Sequence, residues 1–307
     1  MKHINLLIVA ALLGTVLAGC QIEMEIEHPE NIPSVDNQTL TLTVQVSKGA
    51  DDTKALALDD IHLNATWAVG ELVDVYLGGT CIGTLSVTAT EYDGAQATLS
   101  GKVTKTGDLV APCTLTLLFP GRDDHAWSYL GQDGSFLSGT LAENYDYTLA
   151  TLSVIEVGDT DVKVSVPISF TTQQSVYRFG FKVGGAGDPV AVKSFMVSSS
   201  QNQLVRTRTY EGGAWVSNYG PLSITTGTAP DGKLYCVSLR NDNKTEDDLY
   251  TFTVVGSDNA LYEGTQAVTS GKLGNGKFLT AKKGISINKK DFTPALSGSI
   301  SSVNAVL

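Results

Sequence analysis

Basic residues are scarce in this chain: 21 Lys and Arg stand against 32 Asp and Glu in 307 residues, a formal net charge of −11. Nucleic acid is bound by clustered cations, so it is excluded as a partner. Charge of either sign is thin, at 17% against roughly 25% in an average soluble domain, while 42% of residues are hydrophobic. Intrinsic disorder is excluded on that balance. Histidine is nearly missing, with four residues, and no HExxH, CxxC, GxSxG or GxxxxGK pattern occurs. The common metal, nucleophile and phosphate devices therefore lack their residues, and no enzyme activity, metal or cofactor is expected. No helical period is sustained over three turns. What is abundant is Thr and Val, 33 and 29 residues, beside 31 Gly, a composition of strands and turns.

The N-terminus carries one apolar run, Ile4 to Val16, behind Lys2. It is too short to span a bilayer and reads as a secretory signal over 1–19. Leu17-Ala18-Gly19-Cys20 looks like the bacterial lipoprotein motif, in which Cys20 is acylated and becomes the mature N-terminus. Each buried methylene contributes about 0.8 kcal/mol, so a multiply acylated cysteine anchors the protein to the outer membrane without a spanning helix. Residues 20–36 follow as an acidic tether that resembles the surface-export signal of Bacteroides-group lipoproteins. A solvated linker on a periplasmic protein is the plainer alternative.

From Thr39 to Val46 the sequence alternates strictly, with Leu40, Leu42, Val44 and Val46 on one face and Thr39, Thr41, Thr43 and Gln45 on the other. The polar run Ser47 to Lys54 after it is expected as an exposed loop. Strand-like segments then recur about every ten residues, the pattern of antiparallel sandwiches. Two β-sandwich domains are expected, at 37–160 and 161–307. Cys81 and Cys113 could pair as a disulfide, and with Cys236 they could equally be three small buried side chains. Asp123-Asp124 and Asp247-Asp248 read as solvated turns rather than calcium or acid-base sites. Trp127 with Tyr129, and Trp215 with Tyr219, either anchor loops onto a core or offer platforms to a sugar.

The order of these features resembles the fimbrillin family, lipoprotein-derived pilin subunits of the Bacteroides group. Its points of likeness are the Cys20 motif, the alternating first strand, the loop ending Asp52-Thr53-Lys54-Ala55, and the stretch Ala65 to Tyr76 with Trp67, Gly70 and Glu71. Val164 to Phe170 running into Tyr177 to Val183, and Gly271 to Phe278, are similar in the second half. The resemblance implies two transthyretin-like β-sandwiches and a first strand removed by a trypsin-like surface protease. Arg often precedes the cut in the family, but no Arg precedes Arg122 here, so Lys54 or Lys48 would serve. It also implies other fimbrial subunits as partners and a fimbrial location at the cell surface, with a host or bacterial surface ligand. The tail 299–307 places Val303, Ala305 and Leu307 on one face, as a donor strand would. Alternatives are a carbohydrate-binding or adhesin-type surface lipoprotein that does not polymerise, and an anchor or tip subunit.

Overall fold

Strict alternation buries one side of the first strand, β1 (Thr39–Lys48): Leu40, Leu42, Val44 and Val46 are each at most 3% exposed. The computed structural model describes residues 38–48, 54–59, 62–64, 66–135, 140–184, 187–226, 234–243, 245–281 and 283–290. After β1 come a two-stranded ribbon, β2 (Lys54–Asp59) with β3 (His62–Asn64), and then β4 (Leu72–Leu77), β5 (Thr80–Glu91), β6 (Gln96–Thr104) and β7 (Cys113–Phe119). The first half continues through β8 (Ala126–Ser128), a short helix α1 (Thr140–Tyr145), β9 (Thr148–Val157), β10 (Asp161–Val164) and β11 (Ile168–Thr172).

Seven of these strands, in the order β1-β11-β9-β7-β4-β5-β6, form a closed barrel, because β6 pairs back onto β1. The all-β expectation holds, but the first half is one sheet closed on itself instead of two facing layers. Its interior is mostly aliphatic, with Leu85, Leu99, Val103, Leu115, Leu117 and Leu152 meeting the β1 side chains. Closure leaves few free edges.

The second half contains β12 (Ser175–Phe179), β13 (Phe181–Val183), β14 (Val192–Ser199), β15 (Val205–Glu211), β16 (Ala214–Tyr219) and β17 (Leu222–Thr225). It ends with β18 (Tyr235–Leu239), β19 (Asp248–Gly256), β20 (Leu261–Val268), β21 (Phe278–Thr280) and β22 (Ile285–Lys289). A six-stranded sheet, β13-β22-β20-β19-β14-β17, and a three-stranded sheet, β18-β12-β21, contribute to a core rich in rings, among them Phe179, Phe181, Phe195, Tyr235 and Phe252.

Barrel and second half belong to one unit. The segment around Trp127, expected as a polar aromatic loop, instead supplies β8, which joins β15 and β16 in a three-stranded sheet. Tyr76, Leu118 and Tyr147 of the barrel wall are buried in the ring-rich core. Two glycine turns also meet. Gly79 has φ +92°, and a Cβ there would lie 1.9 Å from the backbone nitrogen of Gly213, so the β4–β5 tip seats against the β15–β16 tip only without a side chain.

Candidate functional site

The two edges of β1 are held unequally. Along one, β1 runs antiparallel to β6 through nine residue pairs, from Thr39–Thr104 to Ser47–Gln96. Along the other it meets β10 only at Thr41 and Leu42 and β11 only at Val46 to Lys48, both in parallel. Four apolar side chains contribute roughly 1.5–3 kcal/mol each when buried, so the slot that β1 fills is worth on the order of 6–12 kcal/mol before conformational costs.

Lys48 closes this strand from inside. Its side chain is 2% exposed, and Nζ bonds the Asp146 carboxylate at 3.2 Å and the Thr66 carbonyl at 3.3 Å, with Glu71 at 3.8 Å. Its ammonium also lies over the rings of Phe119 and Trp67, at 3.8 and 4.3 Å from their centroids. Burial raises the Glu71 carboxyl above its ordinary value despite the neighbouring ammonium. The expectation that Lys48 lies in an exposed loop is thus corrected: alternation carries β1 two residues further, and at its end a lysine takes an inward position because Asp146 is there to pair it. Lys54 begins β2. Cys20, the tether, and the tail with Val303, Ala305 and Leu307 lie outside the described residues. Among the described residues no helix is long and apolar enough to cross a membrane.

Cys81 and Cys113 are free thiols, so the contemplated disulfide is absent. β4 runs between β5 and β7, which sets the two cysteines at least two strand spacings apart, about 9.6 Å, beyond the roughly 7 Å that a disulfide spans. Cys236 is buried, and burial pushes its thiol up to about 12.

The aromatic pairs anchor more than they display. Trp127 is 2% exposed, stacks on Tyr147 at 5.0 Å and meets Trp215 at 4.3 Å. Trp215 in turn carries the buried Arg208 guanidinium at 3.7 Å from its ring centroid. Burial lowers that guanidinium to about 10, helped by Arg240 nearby. Tyr129 is buried as well, and Tyr219 is exposed with its hydroxyl donating to Asp242. The sequence pairing of Asp247-Asp248 also misled: Asp248 is buried, accepting from Ser199, Ser200 and Asn241, while Asp124 accepts from the amide of Ala126 in its turn.

An apolar cleft of about 500 Å³ opens in the second half, lined by Tyr177, Phe179, Phe252, Val268, Phe278 and Ile285.

No family model matches the sequence, and no curated protein is significantly similar to it. Solved structures align with the chain at low identity and with TM-scores below 0.5. A candidate cell adhesion protein from Bacteroides uniformis aligns at 15% identity and a TM-score of 0.42, over 81% of this chain and 96% of its own. A fimbrial protein from Bacteroides ovatus aligns at 11% identity and TM-score 0.36, over 80% of this chain and 49% of its own. The shaft pilin SpaA from Lactobacillus rhamnosus GG aligns at 11% and 0.34, over 84% of this chain and all of its own.

Proposed function

We propose that the chain is a surface lipoprotein acting as a structural subunit of a fimbrium, anchored through Cys20 and assembled by exchange of its first strand. The observation that carries the reading is the placement of β1. It is an N-terminal strand with a full apolar face, it closes the barrel, and one of its edges rests on only five residue pairs split between two short strands. Cutting the chain after Lys54 leaves β1 attached to the barrel by non-covalent contacts alone. Its departure exposes the slot between β6 and the β10 and β11 edge, which an alternating strand from another subunit can refill. The tail with Val303, Ala305 and Leu307 has the required period of two. Lys48 is the weaker cleavage point of the two, since its side chain must leave the Asp146 pair before a protease can take it. A trypsin-like surface protease and further fimbrial subunits are the partners in this reading, and catalysis by the chain itself has no part in it.

The test is to treat the purified folded protein with trypsin, sequence the new N-terminus and look for ladders of multimers. A cut after Lys54 followed by ladders that vanish when residues 299–307 are deleted is the expected result. Ladders that form equally well without the tail would overturn the donor role, and a cleaved protein that stays monomeric would overturn assembly by strand exchange.

A further inference from the structure

The outer wall of the barrel, facing the second half, gathers three side chains that lie far apart in sequence and belong to three different ligand types. β4 points Val73 and Val75 into the barrel, which turns Asp74 and Tyr76 outward. Cys81, at the start of β5, pairs with Tyr76 across the hairpin. His125 comes from the turn before β8. A carboxylate oxygen of Asp74, the Cys81 sulfur and a ring nitrogen of His125 all lie within 4.8 Å of one another.

Asp74 is held in place from behind. Its Oδ1 accepts from the Thr84 hydroxyl at 3.0 Å, and its Oδ2 accepts from the Arg122 amide at 3.1 Å and lies 3.0 Å from His125 Nδ1. A Cβ at residue 121 would stand 2.9 Å from Oδ1, so glycine there lets the loop carrying Arg122 and His125 lie down on the carboxylate. Hydrogen bonds that orient a carboxylate are the usual support of a metal ligand. A second observation lies beside the trio. The hydroxyl of Tyr76, a residue 2% exposed, has no hydrogen-bond partner among the described residues, and its ring packs edge-on to His125 at 5.7 Å. Asp74 is 4% exposed, whereas the His125 side chain is 41% exposed and leaves a solvent approach.

We propose that Asp74, Cys81 and His125 form a binding site for a divalent transition-metal ion of the zinc class. Thiolate, imidazole and carboxylate together suit zinc, and a set with sulfur does not suit calcium or magnesium. Tetrahedral zinc with bonds of about 2.0–2.3 Å sets its ligand atoms roughly 3.3–3.8 Å apart. The Asp74–His125 separation is already near that, and Cys81 closes the remainder by a side-chain rotation on a half-buried hairpin residue. The ion takes the Nδ1 position of a neutral His125 whose ring proton sits on Nε2, accepts the Asp74 carboxylate, and displaces the Cys81 thiol proton, which leaves to solvent. A fourth position faces water beside His125. In the fold, the ion ties the barrel's β4–β5 hairpin to the loop that leads into β8 and so to the second half.

The experiment is a titration of the purified full chain in detergent with Co²⁺, read by absorbance, followed by displacement with Zn²⁺. One equivalent of Co²⁺ should give a thiolate charge-transfer band in the near ultraviolet that Zn²⁺ removes. Cys81→Ser should abolish the band and His125→Gln should weaken binding at least tenfold, while Cys113→Ser should leave both unchanged. Circular dichroism checks that each variant is folded; because His125 is half exposed, its variant keeps the test valid should Cys81→Ser misfold. No band in the unmodified chain, a band that persists in Cys81→Ser, or unchanged affinity in His125→Gln would overturn the proposal.

Discussion

The barrel and the second half solve the problem of burying a strand-rich chain in opposite ways. The barrel is aliphatic and closed: among its described buried core residues only Trp67, Phe119 and Phe170 are aromatic, and the pairing of β1 with β6 completes a ring of strands. The second half is aromatic and open, its sheets leaving an apolar cleft of about 500 Å³. Closure makes every strand a dependency of its neighbours, so the barrel's integrity rests on the one strand nearest the N-terminus. An open, ring-packed core tolerates a gap because large rigid rings bury area without a completed ladder.

The largest effect that would expose this difference is loss of the β1 side chains. Leu40→Ala and Leu42→Ala remove fully buried groups, each expected to destabilise by about 2–5 kcal/mol. Denaturation followed by hydrogen exchange should then show the barrel amides opening first and those of β14, β19 and β20 still protected. Simultaneous loss of protection everywhere would show that the halves do not differ in this way.

Lys48→Ala comes next. It leaves Asp146, whose side chain is 8% exposed, without its cation, at a cost of about 3–5 kcal/mol. A urea midpoint close to that of the unmodified protein would remove Lys48 as the clamp on β1. Gly79→Ala costs about 1–2 kcal/mol for its left-handed backbone, and beyond that whatever it takes to push back the Gly212–Gly213 backbone that its Cβ would meet. A thermal melt of the variant should fall by several degrees, and an unchanged melt would mean that the two hairpin tips do not bear on stability.

The smallest effect is one of pH, and it has opposite sign in the two halves. Burial raises Glu71 of the barrel above its ordinary value of 4.5, so the associated stability is full below that value and is lost as the pH rises through the folded-state value. In the second half burial opposes ionisation of Asp242, but Arg240 and Arg208 outweigh it and hold the carboxyl below its ordinary 3.8. That stability is present above 3.8 and is lost as the pH falls through the folded-state value. Glu71→Gln should therefore flatten the alkaline side of the stability profile just above pH 4.5, and Asp242→Asn the acid side below 3.8, as read from urea midpoints across pH. The same shift in both variants would break the contrast.

Much of this molecule was legible locally. Thr39 to Val46 declared its buried face by period two alone, and each of its four apolar positions is buried. The scarcity of helical periods matches a chain in which one short α-helix is described. The misreadings share a cause. Ser47-Lys48 looked like loop because a lysine is ordinarily solvated, and nothing nearby in sequence announces Asp146. Trp127 looked like loop because β8 is three residues long and is stabilised by β15, some eighty residues later. Asp74 stood between two valines in a plain strand pattern, with His125 fifty-one residues away.

Alternation, turn residues and low charge are properties of neighbouring residues, and they determined that the chain would be all-β and that Leu40, Leu42, Val44 and Val46 would share a face. Which strand lies beside which was decided only by the tertiary structure, because strand pairing satisfies the backbone without regard to separation along the chain. That pairing alone closed the barrel through β1 and β6, placed Asp146 where it could hold Lys48, kept Cys81 from Cys113, and brought Asp74, Cys81 and His125 together.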